Sequence, residues 1–308
     1  MNLAYRSART GLGFRHRHEQ GLLRVTGKDR LTWLNGLVTN DVITQSPCYA
    51  AWLTPQGRMI TDMFVVDGPD ETLLEVPAPV AATLAERLDG LIFTEDARVV
   101  DASREVQALE IAGPGAGRGI DAVTHSMPAD MTVRLRQVTA PVAGVVAYVP
   151  ARQMAGALEA LTHHGATPID DVTAEILRVE AGIPRFLVDM GEDTIPLEAG
   201  LDHAISHTKG CYVGQEIIVR IRDRAHGRVA RHLMGLRIEG DDVPMPDQPV
   251  VLDGRQVGRL TSAVRSVALD APIGLAMLHR DASAPGTRVT IGDGFGALVT
   301  DLPFTLVP

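Results

Sequence analysis

Apolar and polar residues recur with helical spacing through much of the chain, but only with strand-like spacing after about residue 226. GLLRVTG, residues 21–27, predicts an early strand. The following KDRLTWLNGLVTND places Leu31, Leu34, Leu37 and Val38 on one helical face. MFVVDG and ETLLEVP predict two strands separated by a turn at Gly68-Pro69. Residues 77–92 predict a helix, with Pro79 near its start and Val80, Leu84, Leu88 and Leu91 along a stripe. VQALEIAGP predicts a strand ended by a Gly/Pro loop at 113–119. VAGVVAYVP then precedes ARQMAGALEALTHHG, a predicted helix with Met154, Leu158 and Leu161 on one face and Gly165 placed to stop it. This strand–helix–strand order occurs twice, which predicts a split βαβ, ferredoxin-like α+β arrangement. A further helix is predicted from Asp170, its aspartates placed to cap the first-turn N–H groups and Val172, Ile176 and Val179 spaced for one face.

Beyond 226 the runs VARHLMGLRIEG, PVVLDGRQVGRLTSAV, IGLAMLH, TRVTIGD and GALVTDLPF are short and joined by Asp-Gly, Gly and Pro turns. They predict a separate all-β domain, a small barrel. Two domains are therefore expected, 1–226 and 227–308.

Composition narrows the class. A chain of 308 residues with 45% hydrophobic content can build two or three cored domains. Its apolar runs are far shorter than the ~18 residues of a membrane span, and the opening MNLAYRSARTGLGF lacks the apolar core of a secretory signal. A cytoplasmic protein without a membrane partner is expected. A net charge of −9 argues against a general nucleic-acid binder, since such binding draws on phosphate neutralisation. Two cysteines, Cys48 and Cys211, lie far apart in the sequence, which argues against a disulfide framework and against a self-contained Cys-rich metal site.

The densest chemistry lies in HTKGCYVGQEIIVRIRDR, residues 207–224. In CYVGQEIIVRI the residues Val213, Ile217 and Ile221 recur every fourth position, which predicts a helix with Cys211 near its N-terminus and Lys209 beside the thiol. Both neighbours would favour thiolate. Gly210 and Gly214 leave room for close approach to the backbone. Most free cysteines are instead inert small hydrophobes, and local chemistry leaves both readings open. His203, His207 and Cys211 are spaced four apart and would share a face of a continuous helix. Gly210 breaks that helix and no fourth ligand is suggested, so no metal is expected. Five arginines between Arg220 and Arg231 stand against one acid, Asp223. They form either a solvated face or a cradle for an anion.

KGCYVGQE resembles the signature of the folate-binding YgfZ-type proteins, relatives of the aminomethyltransferase (T-protein) of the glycine cleavage system. VTGKDRLTWLNGLVTNDV (25–42), YAAWLTPQGRMITDMFVV (49–66), ILRVEAGIPRF (176–186) and IPLEAGLDHAISHTKGC (195–211) are similar to further blocks of that family. The resemblance covers residues 20–240, and the C-terminal β segment suits the family's terminal barrel. It implies an α+β, T-protein-like folate-binding fold, with a ferredoxin-like subdomain, interleaved subdomains before 226 and a small C-terminal β-barrel.

The resemblance also implies roles. Tyr49 and Asp62 match positions lining the folate site, and Asp62 falls at the acidic position near the folate nitrogen. T-proteins carry two adjacent acids there, whereas this chain has Thr61 then Asp62, which weighs against aminomethyl transfer. Glu180 matches the glutamate that accepts hydrogen bonds from the pterin. Arg231 or Arg228 lies where the family keeps an arginine by the ligand. Cys211 becomes the reactive thiol and Lys209 its electrostatic support. The implied function is tetrahydrofolate binding in the assembly or repair of iron–sulfur enzymes, including tRNA-modifying ones, with those enzymes or their assembly proteins as partners. The competitors are a folate-dependent aminomethyltransferase or other one-carbon transferase, with Asp62 as acid/base, and a tRNA-contacting protein using the 220–231 arginines.

Overall fold

Two units interleave along the chain: Met1–Leu53, Thr61–Asp170 and His203–Val213 form one, and Thr54–Ile60, Asp171–Asp202 and Gly214–Pro308 form the other. The computed structural model describes residues 2–128, 131, 133–224, 227–292 and 294–305. The domain boundary expected at 226 falls outside the described residues.

The first unit opens with helix α1 (Leu3–Thr10), strands β1 (Gly13–His16) and β2 (Gln20–Thr26), and helix α2 (Arg30–Asn35). Strands β3 (Cys48–Leu53), β4 (Met59–Asp67, of which residues from Thr61 on fall in this unit) and β5 (Glu71–Pro77) follow, then α3 (Ala81–Asp89), β6 (Arg98–Asp101) and β7 (Val106–Ala112). Helix α4 (Ala116–His125), β8 (Arg134–Val138), β9 (Gly144–Pro150), α5 (Met154–His163) and β10 (Thr167–Pro168) complete it. The strands make two five-stranded sheets, ordered β10-β1-β7-β9-β8 and β3-β4-β5-β2-β6.

Strand β9 shows why the apolar run VVAYV is continuous rather than alternating. Ala147 and Val149 point into a core with Val123 of α4 and Leu161 of α5. Val146 and Tyr148 point the other way, onto Leu22, Val66 and Leu73 of the second sheet. A strand buried on both faces has no polar face to alternate with.

Three expectations need correction. The helix expected to carry Leu37 and Val38 ends at Asn35, and Val38 instead bridges Trp52 as an isolated β-pair. The Gly/Pro loop expected at 113–119 runs into helix α4. Its glycines lower helix propensity, but Gly119 lies so near Ile111 that a Cβ there would sit 2.6 Å from a side-chain methyl. Packing thus outweighs propensity. Val172, expected on the buried stripe of its helix, is 70% exposed, while Leu177 and Val179 are buried.

The second unit holds helices α6 (Asp171–Glu180) and α7 (Gln215–Arg224) and six strands: β11 (Arg231–Ile238), β12 (Pro249–Leu252), β13 (Arg255–Ser266), β14 (Ala271–His279), β15 (Arg288–Ile291) and β16 (Phe295–Thr300). These close into a barrel in the order β11-β14-β13-β12-β15-β16. Leu236, Leu260, Leu278 and Ile291 fill its interior with no exposed surface. The β12–β13 turn has Asp253 and Gly254 at φ 50° and 76°, the left-handed pair that a two-residue hairpin requires. Val179 of α6 packs on Leu233, Ile273 and Leu275 at the barrel wall. Among the described residues no helix is long and apolar enough to cross a membrane.

Candidate functional site

The pleat of β4 sorts the site residues. Thr61, Met63 and Val65 face the interior, and the alternate positions Asp62 and Phe64 face the other way. The neighbouring strand β3 supplies Tyr49 to the same face. The Tyr49 hydroxyl donates to Asp62 Oδ2 at 2.5 Å, and its ring lies 4.7 Å from the Phe64 centroid. His203 stacks on the other side of Tyr49, with centroids 5.5 Å apart and planes 14° from parallel. Asp62 Oδ1 is shut from solvent and accepts no hydrogen bond among the described residues. Burial therefore pushes the Asp62 carboxyl up to about 6, against the opposing effect of the Tyr49 hydrogen bond. The same burial, with the Asp62 charge next to it, drives the Tyr49 phenol well above its ordinary value.

Behind Phe64 lies a buried polar cluster. The Arg136 guanidinium sits 3.7 Å from the Phe64 centroid and donates to Glu75 Oε2 at 2.9 Å and to the Tyr148 hydroxyl at 3.0 Å. Tyr148 also donates to Glu75, and Arg17 pairs with it at 2.6 Å. Burial alone would raise Glu75, but Arg17 and Arg136 hold it at about 2. The carboxylates Asp62 and Glu75 thus share one unit with opposite proton affinities.

Residues 35–42 are stitched to 203–209. Thr39 donates to the Ala204 carbonyl at 2.6 Å, and Asn40 Nδ2 donates to the carbonyls of Tyr49 and His203. Lys209 completes the seam: its Nζ donates to the carbonyls of Asn35, Val38 and Asn40 at 2.5, 2.8 and 2.8 Å. The end of α2 leaves carbonyls without intrahelical donors, and an ammonium satisfies them. Burial lowers Lys209 to about 8, while the three carbonyls favour its charged form.

The expected pairing of Lys209 with Cys211 is therefore corrected: no hydrogen bond or ion pair joins the two side chains, because the ammonium is turned onto α2. The expected helix N-terminus at Cys211 is corrected as well. Helix α7 starts at Gln215, and Gly214 at φ 84° breaks the helical path before it, so the helical stretch does not begin at Cys211. The Cys211 thiol is exposed and free. Cys48 is also free but buried, and burial pushes its thiol up to about 11. Around His203 only the single turn Asp202–Ala204 is helical, and no group of metal-binding side chains occurs among the described residues.

Glu180 and Arg231 belong to the second unit. Glu180 is fully buried at the end of α6, where Oε1 accepts from Ser266 Oγ at 2.7 Å and from the Ala268 N–H at 3.1 Å. The Arg231 guanidinium donates to Glu198 and Asp193 from Nε, Nη1 and Nη2. A ligand carboxylate at Arg231 would have to compete with both. Of the other arginines, Arg220 pairs with Glu216 and Arg222 with Asp223, as a solvated helix face would.

Structure thus brings Tyr49 and Asp62 together. It adds Asn40, Arg136 and Glu75, which pattern reading passed over, and gives His203, weighed in the sequence only as a metal ligand, a stacking role on Tyr49. The Thr-Asn-Asp triplet at 39–41 carried one signal, since such residues bond backbone at turns. Nothing in the local sequence marks Glu75 or Arg136.

Residues 4–209 match the family model described as the GCVT N-terminal domain, and residues 231–305 that of the glycine cleavage T-protein C-terminal barrel domain. A chloroplastic protein of Arabidopsis thaliana, named as a transferase, is 25% identical over 302 residues, 92% of this chain and 69% of its own. An aminomethyltransferase of Halalkalibacterium halodurans is 25% identical over 315 residues, 93% of this chain and 84% of its own. The crystal structure of the glycine cleavage system aminomethyltransferase T from Bartonella henselae superposes with a TM-score of 0.84 over 98% of this chain and 88% of its own, at 18% identity. The two share a fold.

Proposed function

We propose that this chain, which belongs to the glycine cleavage T-protein (GCVT) family, is a tetrahydrofolate-binding protein of the YgfZ type, acting in assembly or repair of iron–sulfur cluster enzymes. The observation that carries folate binding is the sealed, unpartnered Oδ1 of Asp62. A buried acceptor without a donor is costly, and a ligand N–H supplies the missing partner. The aminomethyltransferase relatives support the same ligand.

In this reading Tyr49 pins one carboxylate oxygen and leaves the other to the ligand, while Phe64 and His203 keep the phenol ring in place. Bound tetrahydrofolate would supply a carrier for one-carbon units. With its carboxyl near 6, Asp62 can hold or release a proton close to neutrality. Glu180 serves as the second carboxylate for the ligand and Arg231 as a weaker contact. Residues 1–226 form the folate-binding region and 227–308 the barrel domain.

The exposed thiol of Cys211, on a loop anchored by Lys209, favours the YgfZ branch, because a sulfur presented to solvent can meet a partner protein. Iron–sulfur enzymes, including tRNA-modifying ones, are the clients. Direct tRNA contact is not part of this reading.

A second reading, aminomethyl transfer with Asp62 as acid/base, is favoured by the names of the relatives. The buried Thr61 beside Asp62, in place of a second acid, weighs against it.

Calorimetric titration of tetrahydrofolate into wild type and Asp62→Asn tests the folate claim; binding that is absent from wild type, or equal in both, overturns it. Cys211→Ser tests the branch. It should bind folate normally yet fail to restore a cluster-dependent enzyme in a deletion strain. Full restoration, with turnover of an aminomethylated carrier, would favour the second reading.

A further inference from the structure

A cavity of about 750 Å³ lies in the second unit, between the 187–194 segment and the first residues of β13. Its volume is in the range that small ligands occupy. It is separate from the Glu180 position within the same unit. Glu180 meets Ser266 at the far end of β13, while Thr261, the lining residue of the cavity nearest to it on that strand, lies five residues earlier, about 16 Å along a strand.

One wall is held rigidly. Asp189, with no exposed side-chain surface, accepts from Thr261 and Ser262 hydroxyls through Oδ1, and from Arg178 Nη1 and the Arg185 N–H through Oδ2. Four donors on one carboxylate fix the turn that follows Arg185. Within that turn Leu187 adopts φ 68°, a left-handed conformation that branched side chains rarely take, and its N–H is fixed on the Met190 carbonyl. Leu187 is nevertheless 52% exposed, so packing against this unit does not explain the strain. Backbone strain kept in place by surrounding bonds is typical of ligand-binding walls.

The opposite wall carries charge. Arg255 has no hydrogen bond or ion pair among the described residues. Among the described residues Arg259 is tied only to Asp247, at 2.8 Å, in a pair whose side chains are 56% and 76% exposed. Such a pair contributes little and releases its arginine readily. The acids that line the cavity are already engaged: Asp189 as described, and Asp193 with Arg231. Met190 and Met277 add an apolar floor.

We propose that this cavity binds a small amphipathic anion, its carboxylate or phosphate groups on Arg255 and Arg259 and its apolar body against Leu187 and the floor. The site shares Arg231 with the folate reading, where that arginine is a weaker contact, but Arg255 and Arg259 have no part in that reading. Two probes distinguish the sources of negative charge: phenyl phosphate for a phosphate monoester and benzylsuccinate for a dicarboxylate.

Calorimetry with the full chain should show saturable binding of at least one probe, and which one binds assigns the anion. Arg255→Ala/Arg259→Ala should weaken it about tenfold or more, as loss of bidentate guanidinium contacts does, while Arg237→Ala on another barrel strand leaves it unchanged. Leu187→Gly relieves the left-handed strain and should raise the melting temperature while weakening the probe. That opposite pair of shifts is not expected of a merely structural leucine. The proposal is overturned if neither probe saturates below about millimolar concentration, the range of weak nonspecific binding, or if the double variant binds as wild type does. Tetrahydrofolate titrated into the double variant should behave as in wild type, so a failure of either site leaves the other measurable.

Discussion

The Tyr49 hydroxyl holds Asp62 by one oxygen, Oδ2, at 2.5 Å, and leaves Oδ1 buried without a donor. This asymmetry makes the carboxylate an oriented acceptor rather than a satisfied structural acid. Removing the hydroxyl in Tyr49→Phe leaves a second buried oxygen unpaired. The expected cost is about 1.5–3 kcal/mol, the usual worth of a hydrogen bond to a charged group. Chemical denaturation reads it; a change within error would show that water replaces the hydroxyl.

The pH dependence of stability follows from the same pair. Burial raises the folded Asp62 carboxyl to about 6, above its ordinary 3.8, so the folded protein binds the extra proton in that interval. The contribution is full below about 4 and is lost as pH rises through about 6, by up to about 3 kcal/mol. Asp62→Asn should remove this step and flatten the curve. Tyr49→Phe should move the step to higher pH, because its hydrogen bond favours the charged form. Urea unfolding at intervals from pH 4 to 8 is the measurement, and parallel curves for wild type and Asp62→Asn would place the carboxyl in the ordinary range.

Lys209 acts as a tether, and its substitution should behave accordingly. Lys209→Met loses three donors to the carbonyls of Asn35, Val38 and Asn40. A loss of about 2–3 kcal/mol is expected, with faster hydrogen exchange across 203–209. The thiol reactivity of Cys211 should change little, since the ammonium makes no contact with it. A large fall in that reactivity, with stability intact, would instead restore the electrostatic role.

Much of this architecture is legible in the residue pattern, and the exceptions have physical causes. The Asp253-Gly254 turn marks a β-hairpin because few other residues accept two successive left-handed conformations. Leu84 and Leu88 mark α3 because one helical face is buried. Helix α4 is hidden by its glycines, whose value is the close approach of Gly119 to Ile111, a tertiary fact. The candidate site divides the same way. Tyr49 and Asp62 are reached through family likeness, but the partner of Lys209 is set by where α2 ends, 174 residues away in sequence. Glu75 and Arg136, 61 residues apart, meet only once two sheets are stacked.

The two cysteines should separate cleanly in a thiol titration. Cys211 is exposed, whereas Cys48 is buried with its thiol pushed up to about 11. One fast-reacting thiol is expected in the folded protein and a second only after unfolding. Cys211→Ser should abolish the fast phase and alter stability by no more than about 0.5 kcal/mol, as exposed substitutions generally do. Two fast thiols would mean that the β3 region opens readily.

Glu180 offers the sharpest contrast between a charge and a shape. Its carboxylate has no exposed surface, and Oε1 ties the end of α6 to Ser266 and to the Ala268 N–H. Glu180→Ala strands the Ser266 hydroxyl and the Ala268 N–H in the interior and opens a void, so a loss of about 3–5 kcal/mol is expected. Glu180→Gln keeps an acceptor oxygen at the same place and nearly the same volume, and should retain most of the stability. If Glu180 also serves the folate, the Gln variant separates the two roles. It should stay folded yet bind tetrahydrofolate more weakly, because an amide offers one acceptor where the carboxylate offers two. Folded Glu180→Gln with undiminished folate affinity would confine Glu180 to holding α6 on the barrel.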